Sequence, residues 1–137
     1  WDRTEFDFLD FPLLKEKILE LKPDVIVNAV AYNMVDNCEI NAADYDLALK
    51  LNRDLVSVLA EQPALLVHYS TDYVFSGSLE KQEFSEADIP DPLNKYGDSK
   101  LAGERELITK AKKYYLIRTS KLFGPQGLSA YAKPSSN

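Results

Sequence analysis

The sequence comprises 137 residues, of which 45% are hydrophobic and 28% charged, with a formal net charge of -6 at pH 7. Such a chain has enough apolar side chains to close one core, which excludes disorder and indicates a single globular unit. The 22 acidic residues outnumber the 16 basic ones without any basic block, so we expect no nucleic-acid partner. The longest apolar runs, residues 25–27 and 64–67, fall far below the roughly 20 residues of a membrane-spanning helix, so we expect no membrane partner.

The first predicted elements are a helix and a strand. Apolar residues at helical spacing behind Pro12 predict a helix over residues 11–22, which Pro23 ends. Residues 24–30 are a continuous apolar run rich in β-branched side chains. Such a run is typical of a strand that is covered on both faces within a parallel sheet.

The same alternation continues along the chain. Apolar residues spaced by four, four and three predict a long surface helix over residues 44–61, and a second buried strand follows over residues 64–69. Residues 76–94 mix Gly, Ser, Pro and acidic residues without a period, which predicts a loop. A third helix is predicted from about residue 96 to 108, followed by a strand over residues 114–118.

This order of elements predicts the fold class. Helices and strands that alternate through right-handed crossovers form a parallel sheet with helices on its faces, so we expect an α/β, doubly wound fragment. Ligands of such sheets bind beyond the carboxyl ends of the strands. Residues 29–32, 70–73 and 119–123 should therefore meet at one site.

Two side chains at the start of the third helix suggest proton-transfer chemistry. Tyr96 and Lys100 are four residues apart, so both lie on one helix face and an ammonium can sit near the phenol. A phenol, with an ordinary pKa of about 10, becomes a useful acid or base only where a cation favours its phenolate. With the hydroxyl of Thr71 at the end of the second strand, the three groups suit reduction of a carbonyl by hydride. The spacing alone equally suits an exposed helix start.

Five ordered motifs run along the chain: residues 23–32 (PDVIVNAVAY), Val35-Asp36 with Glu39, residues 70–77 (STDYVFSG), residues 92–104 (PLNKYGDSKLAGE) and Arg118-Thr119-Ser120. Through these motifs the chain resembles the dTDP-4-dehydrorhamnose reductase family of extended short-chain dehydrogenases/reductases, with its RmlD-like substrate-binding domain. The resemblance covers roughly residues 7–127. The run of Ser-Thr-Asp-Tyr-Val-Phe separates this branch from the epimerases, which usually have a Ser-Ser pair followed by Val-Tyr-Gly.

The resemblance implies roles for individual residues. Thr71, Tyr96 and Lys100 match the catalytic triad, with Tyr96 as the proton donor, and Tyr96 and Lys100 also match cofactor contacts. The cofactor-lining strand end corresponds to Val30, Ala31 and Tyr32. Positions near the sugar nucleotide correspond to Val35, Thr71, Asp72 and Lys121, and at Lys121 the family usually has a Trp that packs against the sugar.

The resemblance also implies a reaction and a setting. The reaction is reduction of the 4-keto group of dTDP-4-dehydro-L-rhamnose to dTDP-L-rhamnose by NADPH or NADH, often with Mg2+. The implied partners are a nucleotide-sugar substrate and a second copy in a homodimer. The single Cys38 cannot form an internal disulfide, which suits a cytoplasmic location.

We expect the sequence to be a piece of a longer chain, because it begins with Trp1 and its one methionine is Met34. Residues 1–137 would then form part of one Rossmann-type NAD(P)-binding domain. The missing parts would be its first strand, the glycine-rich turn and helix that follow it, and the C-terminal part that closes over the sugar.

Two other functions stay open at this point. A nucleotide-sugar epimerase or dehydratase would recycle a tightly held NAD, whereas a reductase consumes NADPH stoichiometrically. A non-catalytic regulatory subunit, like the beta subunit of methionine adenosyltransferase, would need no turnover. His68, the lone histidine, is predicted to be a core residue of its strand, since a metal site would need further ligands.

Overall fold

Three parallel strands form a sheet in the order β1-β2-β3. The structure, a computed structural model, describes residues 6–77 and 83–120. The strands are β1 (Val25–Asn28), β2 (Leu65–Thr71) and β3 (Tyr114–Thr119). The helices are α1 (Phe11–Leu21), α2 (Val35–Ile40), α3 (Ala42–Leu49), α4 (Leu55–Ala60) and α5 (Lys95–Lys110), with a π-helical turn (Lys50–Asp54) and a short 3₁₀ turn (Asp72–Val74).

The register of the strands brings their carboxyl ends to one edge of the sheet. Asn28 at the end of β1 pairs with His68 of the central strand β2. Thr71 at the end of β2 pairs with Thr119 at the end of β3. The predicted convergence of the strand ends is thus confirmed for the described residues, while residues 121–123 lie outside them.

The core lies between the sheet and the helices α1, α4 and α5. One face of each strand contributes to it, because side chains alternate between the two faces of a strand. A shared cluster contains buried residues from all of these helices and from β2: Leu14, Ile18, Leu55, Val56, Val58, Leu59, Ala60, Leu66 and Leu107. The helix predicted over residues 11–22 is confirmed, with Lys22 in the left-handed conformation at its end.

The opposite face of the sheet is open, which corrects one expectation. Val25 is 48% exposed, Val27 is 60% exposed and Tyr115 is 62% exposed. The prediction that residues 24–30 form a strand covered on both faces is therefore wrong for the described part of the chain. Crossovers that all step in the same direction across a sheet place their helices on the same side. The apolar run indicated a strand correctly, but it could not indicate what covers each face.

The long helix predicted over residues 44–61 is continuous but contains a π-helical turn. It begins at Ala42 and passes through the turn before it ends at Ala60. Helix α5 passes so close to this turn that a Cβ atom at Gly103 would overlap the carbonyl oxygen of Asn52. Asn52 lies in the turn and is fully buried. The turn thus brings a polar side chain into the contact between the two helices.

Helix α2 was absent from the prediction. Its six residues contribute buried Cys38, which packs in a small cluster with Ala48 of α3 and Tyr96 of α5. The described part of the predicted loop over residues 76–94 contains no helix or strand, and residues 78–82 lie outside the description. In the part of the chain that the structure describes, no helix is long and apolar enough to cross a membrane.

Candidate active site

The first turn of α5 is held in place from three directions. The side chain of Asn94 caps the helix by accepting a hydrogen bond from the backbone N–H of Gly97 at 2.7 Å. Glu39 of α2 accepts from the backbone N–H of Lys95. The hydroxyl of Tyr45 donates to Asp98 at 2.6 Å, and this contact raises the pKa of Tyr45 to about 12. The helix start therefore has a fixed position against α2 and α3.

Tyr96 and Lys100 both point into the molecule. Tyr96 is 9% exposed and Lys100 is 1% exposed. The alternative that the pair marks an exposed helix start is therefore wrong. Lysine is almost never fully buried without a partner, so its position requires an explanation from its contacts.

The contacts of Lys100 lie below the end of β2. Its Nζ donates a hydrogen bond to the backbone carbonyl of Tyr69 at 2.6 Å. Burial lowers the pKa of Lys100 to about 8, while the negative charge of Glu104, one helix turn away, acts to raise it. The ammonium is thus held one turn from Tyr96 at the predicted site.

Glu104 is itself paired with Arg118 of β3. The carboxylate accepts from Nε of Arg118 at 3.0 Å and from its second guanidinium nitrogen at 2.7 Å, a bidentate arrangement. The pair raises the pKa of Arg118, and the guanidinium also lies 5.0 Å from the ring centroid of Phe75. These contacts join α5 to β3.

Thr71 and Tyr73 approach the same helix start from β2. Thr71 is buried, and its hydroxyl donates to Asp72 at 3.2 Å while accepting from the N–H of Tyr73 at 3.3 Å. The ring of Tyr73 packs edge-on against the ring of Tyr96, with 5.7 Å between centroids. The backbones of Gly97 and Tyr73 are also very close, since a Cβ atom at Gly97 would overlap the carbonyl oxygen of Tyr73. This approach therefore requires a glycine at position 97. The structure therefore brings the end of β2 to the residues that begin α5.

The strand end after β1 is held by side chains on both sides. The N–H of Val30 donates to Oδ1 of Asn28 at 3.1 Å. Tyr32 is bound through its backbone, because its N–H donates to Oδ1 of Asn52 at 2.9 Å and its carbonyl accepts from Nδ2 of Asn52 at 3.0 Å. Its hydroxyl donates to Asp44, which raises the pKa of Tyr32. Val30 and Tyr32 are half-buried, and Ala31 between them is exposed.

Asn52 and Ser99 belong to this site, although the sequence reasoning missed them. Nδ2 of Asn52 also donates to the hydroxyl of Ser99 at 2.9 Å, and Ser99 donates to the carbonyl of Tyr96 at 2.7 Å. Asn52 therefore connects the segment around Tyr32 with the start of α5. The sequence did contain a signal for Asn52. It is a polar residue one helical turn after Ala48, on the side of the predicted helix that faces the core.

The remaining predicted site residues lie at the edge of this arrangement or beyond it. Val35 is half-buried at the start of α2, and Asp72 is exposed after β2. Lys121 lies outside the described residues. Among the residues that are described, no group of three or more His, Cys, Asp or Glu could hold a metal ion.

Known proteins resemble the chain in sequence and in structure. The dTDP-4-dehydrorhamnose reductase of Salmonella typhimurium is 41% identical over 125 residues, covering 88% of this chain and 40% of the relative. A crystal structure of a dTDP-4-dehydrorhamnose reductase from Clostridium acetobutylicum superposes with a TM-score of 0.83 and 36% identity, covering 91% of this chain and 45% of that one. The Bacillus anthracis dTDP-4-dehydrorhamnose reductase in complex with NADP has a TM-score of 0.83 at 34% identity, covering 93% and 46%.

These comparisons also set the extent of the likeness. The chain spans 40% of the Salmonella relative's length and 45% and 46% of the two solved chains. The solved relatives support the Rossmann-like α/β fold class predicted from the order of the elements. The model of the RmlD substrate binding domain matches residues 1–133. The chain therefore belongs to the RmlD substrate binding domain family.

Proposed function

We propose that the full-length protein containing this chain is an NAD(P)H-dependent reductase of a 4-keto nucleotide sugar, with dTDP-4-dehydro-L-rhamnose as the substrate and dTDP-L-rhamnose as the product. The observation that carries the proposal is the burial of Tyr96 and Lys100 on one face of α5, next to the carboxyl end of β2. The curated relatives named as dTDP-4-dehydrorhamnose reductases support the substrate class.

The side chains of this chain have distinct roles in the proposed reaction. When bound along Val30, Ala31 and Tyr32, a reduced nicotinamide would supply the hydride for the carbonyl carbon. Tyr96 transfers its hydroxyl proton to the carbonyl oxygen, so that the ketone becomes an alcohol. Lys100 favours the phenolate that remains, because a nearby positive charge stabilises a negative one. Thr71 turns its hydroxyl from Asp72 to the carbonyl oxygen and stabilises the charge that develops there.

The cofactor would bind along Val30, Ala31 and Tyr32. This segment follows β1 at the carboxyl edge of the sheet, where α/β folds bind their ligands. Its backbone is fixed by Asn28 and Asn52, so it offers a preformed wall rather than a loop that must be ordered on binding. The NADP bound by the Bacillus anthracis relative supports a nicotinamide cofactor.

The substrate would contact Val35, Thr71 and Asp72, and Lys121, which lies outside the described residues, is a further proposed substrate contact. Asp72 is exposed and already accepts a hydrogen bond from the Thr71 hydroxyl, so it is close to the proposed position of the carbonyl.

We further propose that residues 1–137 form part of one Rossmann-type domain, to which the rest of the full-length chain contributes the remaining strands.

The test is NADPH consumption by the full-length protein. Stoichiometric oxidation of NADPH with dTDP-4-dehydro-L-rhamnose supports the proposal, and faster turnover of a UDP- or GDP-linked 4-keto sugar would overturn the choice of substrate alone. Conversion of a nucleotide sugar without net use of NADPH would indicate an epimerase or dehydratase. Absence of turnover with every sugar, together with tight binding to another enzyme, would indicate a regulatory subunit.

A further inference from the structure

His68 of β2 and Asn28 of β1 form a buried polar pair directly behind the segment that the cofactor is proposed to line. The two residues are register partners in the sheet, and both are buried. Nδ2 of Asn28 lies 3.1 Å from Nδ1 of His68. On its other side, Oδ1 of Asn28 accepts the hydrogen bond from the N–H of Val30. The carboxamide thus connects the imidazole to the backbone of the segment.

These two hydrogen bonds fix the tautomer of His68. The backbone N–H of Val30 can only donate, so the Asn28 atom that it contacts must be the carbonyl oxygen. The NH2 group of Asn28 then faces Nδ1 of His68, and this nitrogen must accept. A neutral imidazole that accepts at Nδ1 has its proton on Nε2.

The surroundings of His68 keep the ring in this neutral form. Burial, together with the positive charge of Lys100 on α5, lowers the pKa of His68 to about 3. Within the described residues, Nε2 of His68 has no hydrogen-bond partner, so the ring is bound there only through Nδ1. The hydrogen bond to Asn28 is therefore the polar contact of this side chain that can orient a neighbour.

We propose that His68 is a positioning residue for cofactor binding, because its Nδ1 lone pair orients the Asn28 carboxamide that holds the Val30 backbone amide. The inference rests on the proposed function, since it concerns the segment that would line the nicotinamide cofactor. Without an acceptor at the position of Nδ1, the NH2 group of Asn28 would be buried and unpaired. Because a buried, unpaired NH2 group is unfavourable, the carboxamide would rotate and displace Val30.

The hydrogen bond can be tested separately from the enzymatic activity. In full-length protein labelled with 15N at histidine, the His68 signals are assigned by their loss in His68→Asn. We expect an unprotonated Nδ1 and a protonated Nε2 from pH 8 down to pH 5. In Asn28→Asp, which keeps an oxygen for Val30 but offers no donor to the ring, the proton should move to Nδ1. A protonated Nδ1 in the unsubstituted protein would overturn the inference.

The consequence for the cofactor is tested by calorimetry with NADPH and by steady-state kinetics. His68→Leu should raise the Kd for NADPH roughly tenfold, or about 1.4 kcal/mol, with kcat at saturating NADPH within about twofold. His68→Asn, whose Oδ1 can accept where Nδ1 did, should stay within about threefold in Kd. Leu66→Ala serves as the stability control. Leu66 lies two residues before His68 on the same face of β2, so its truncation opens a cavity there. This variant should lower Tm without changing the Kd for NADPH.

The outcomes separate the two proposals. An unchanged Kd in His68→Leu, or an equal increase in His68→Leu and His68→Asn, would overturn the positioning role while leaving the reductase proposal standing. Failure of the unsubstituted full-length protein to bind NADPH would overturn the cofactor and the positioning role together. If His68→Leu does not fold, the tautomer in Asn28→Asp and the Kd of His68→Asn decide the inference.

Discussion

Burial and charge act in opposite directions on the ammonium of Lys100. Burial lowers its pKa to about 8, and Glu104 limits the decrease. The proposed reaction needs the ammonium, because only the charged form favours the Tyr96 phenolate. The catalytic contribution of Lys100 should therefore be present below pH 8 and lost above it.

We expect kcat/KM for NADPH to fall as the pH rises through about 8, because this parameter follows groups of the free enzyme. Unfolding does not account for such a fall. Between pH 8 and the ordinary lysine pKa of 10.5, the unfolded chain holds more protons at Lys100 than the folded chain does, so the contribution of this group to stability rises with pH. An alkaline limit near pH 10 would contradict the assignment.

Removal of the Tyr96 hydroxyl tests the proton donor. Tyr96→Phe should lower kcat by about 10²-fold or more, which is the usual contribution of a general acid. Tyr73→Phe is the matched control, because its ring packs against Tyr96 and the change removes the same atom from a neighbouring ring. The assignment fails if Tyr96→Phe retains near-normal turnover or if both variants lose activity equally.

Thr71 offers a pair of substitutions that separate chemistry from packing. Thr71→Val keeps the shape and removes the donor, so kcat should fall by roughly 10-fold to 10³-fold. Thr71→Ser keeps the hydroxyl and should retain most of the activity. Equal losses in both variants, measured at saturating substrate, would show that the side chain only fills space.

At the scale of elements, the contact between α5 and the π-helical turn depends on Gly103. Replacing Gly by Ala inside a helix normally stabilises it by about 1 kcal/mol. Here the added Cβ would overlap a backbone carbonyl, which cannot rotate away as a side chain would. Gly103→Ala should therefore destabilise the fold by roughly 1–3 kcal/mol.

The sign of the effect makes this prediction decisive. Ala102→Gly, at the neighbouring half-buried position, provides the comparison, since it costs only helix propensity, about 1 kcal/mol. Thermal unfolding of the full-length variants measures both changes. A Tm of Gly103→Ala above that of the unsubstituted protein would mean that the two helices are not in this close contact.

The sequence predicted the elements that have a strong period, and it predicted the residues that have unusual chemistry. The helices ending near Leu21 and Ala60 and the three strands were recognisable, and so was the Tyr96–Lys100 pair. Helix α2 is only six residues long, too short to show a period. The π-helical turn depends on the passage of α5 over Asn52, a contact between residues distant in sequence, and no local pattern predicts it.

At the scale of the whole molecule, the open face of the sheet determines how the 137-residue chain should behave alone. Val25, Val27 and Tyr115 present apolar surface there, and such patches favour association. The sequence also contains no G-x-G-x-x-G run, whose backbone amides would bind a dinucleotide pyrophosphate. We expect the chain alone to self-associate in size-exclusion chromatography and to bind NADPH too weakly to saturate at millimolar concentration.

A variant on the open face serves as the control for this expectation. Val27→Lys places a charge on the exposed strand and should reduce self-association without restoring NADPH binding. Tight NADPH binding by the 137-residue chain in calorimetry would mean that the cofactor is held by contacts other than those of the strand ends.

The π-helical turn also restricts which mutations this helix can accept. Each residue of an α-helix advances the direction of its side chain by about 100°, and the wider turn from Lys50 to Asp54 sets the phase between α3 and α4. One extra codon in α3 or α4 would rotate one half of the helix against the other by about 100°, so that Asn52 could not reach Tyr32 while Val56 stays in the core. A substitution changes one side chain of this helix, whereas such an insertion changes the direction of every side chain beyond it.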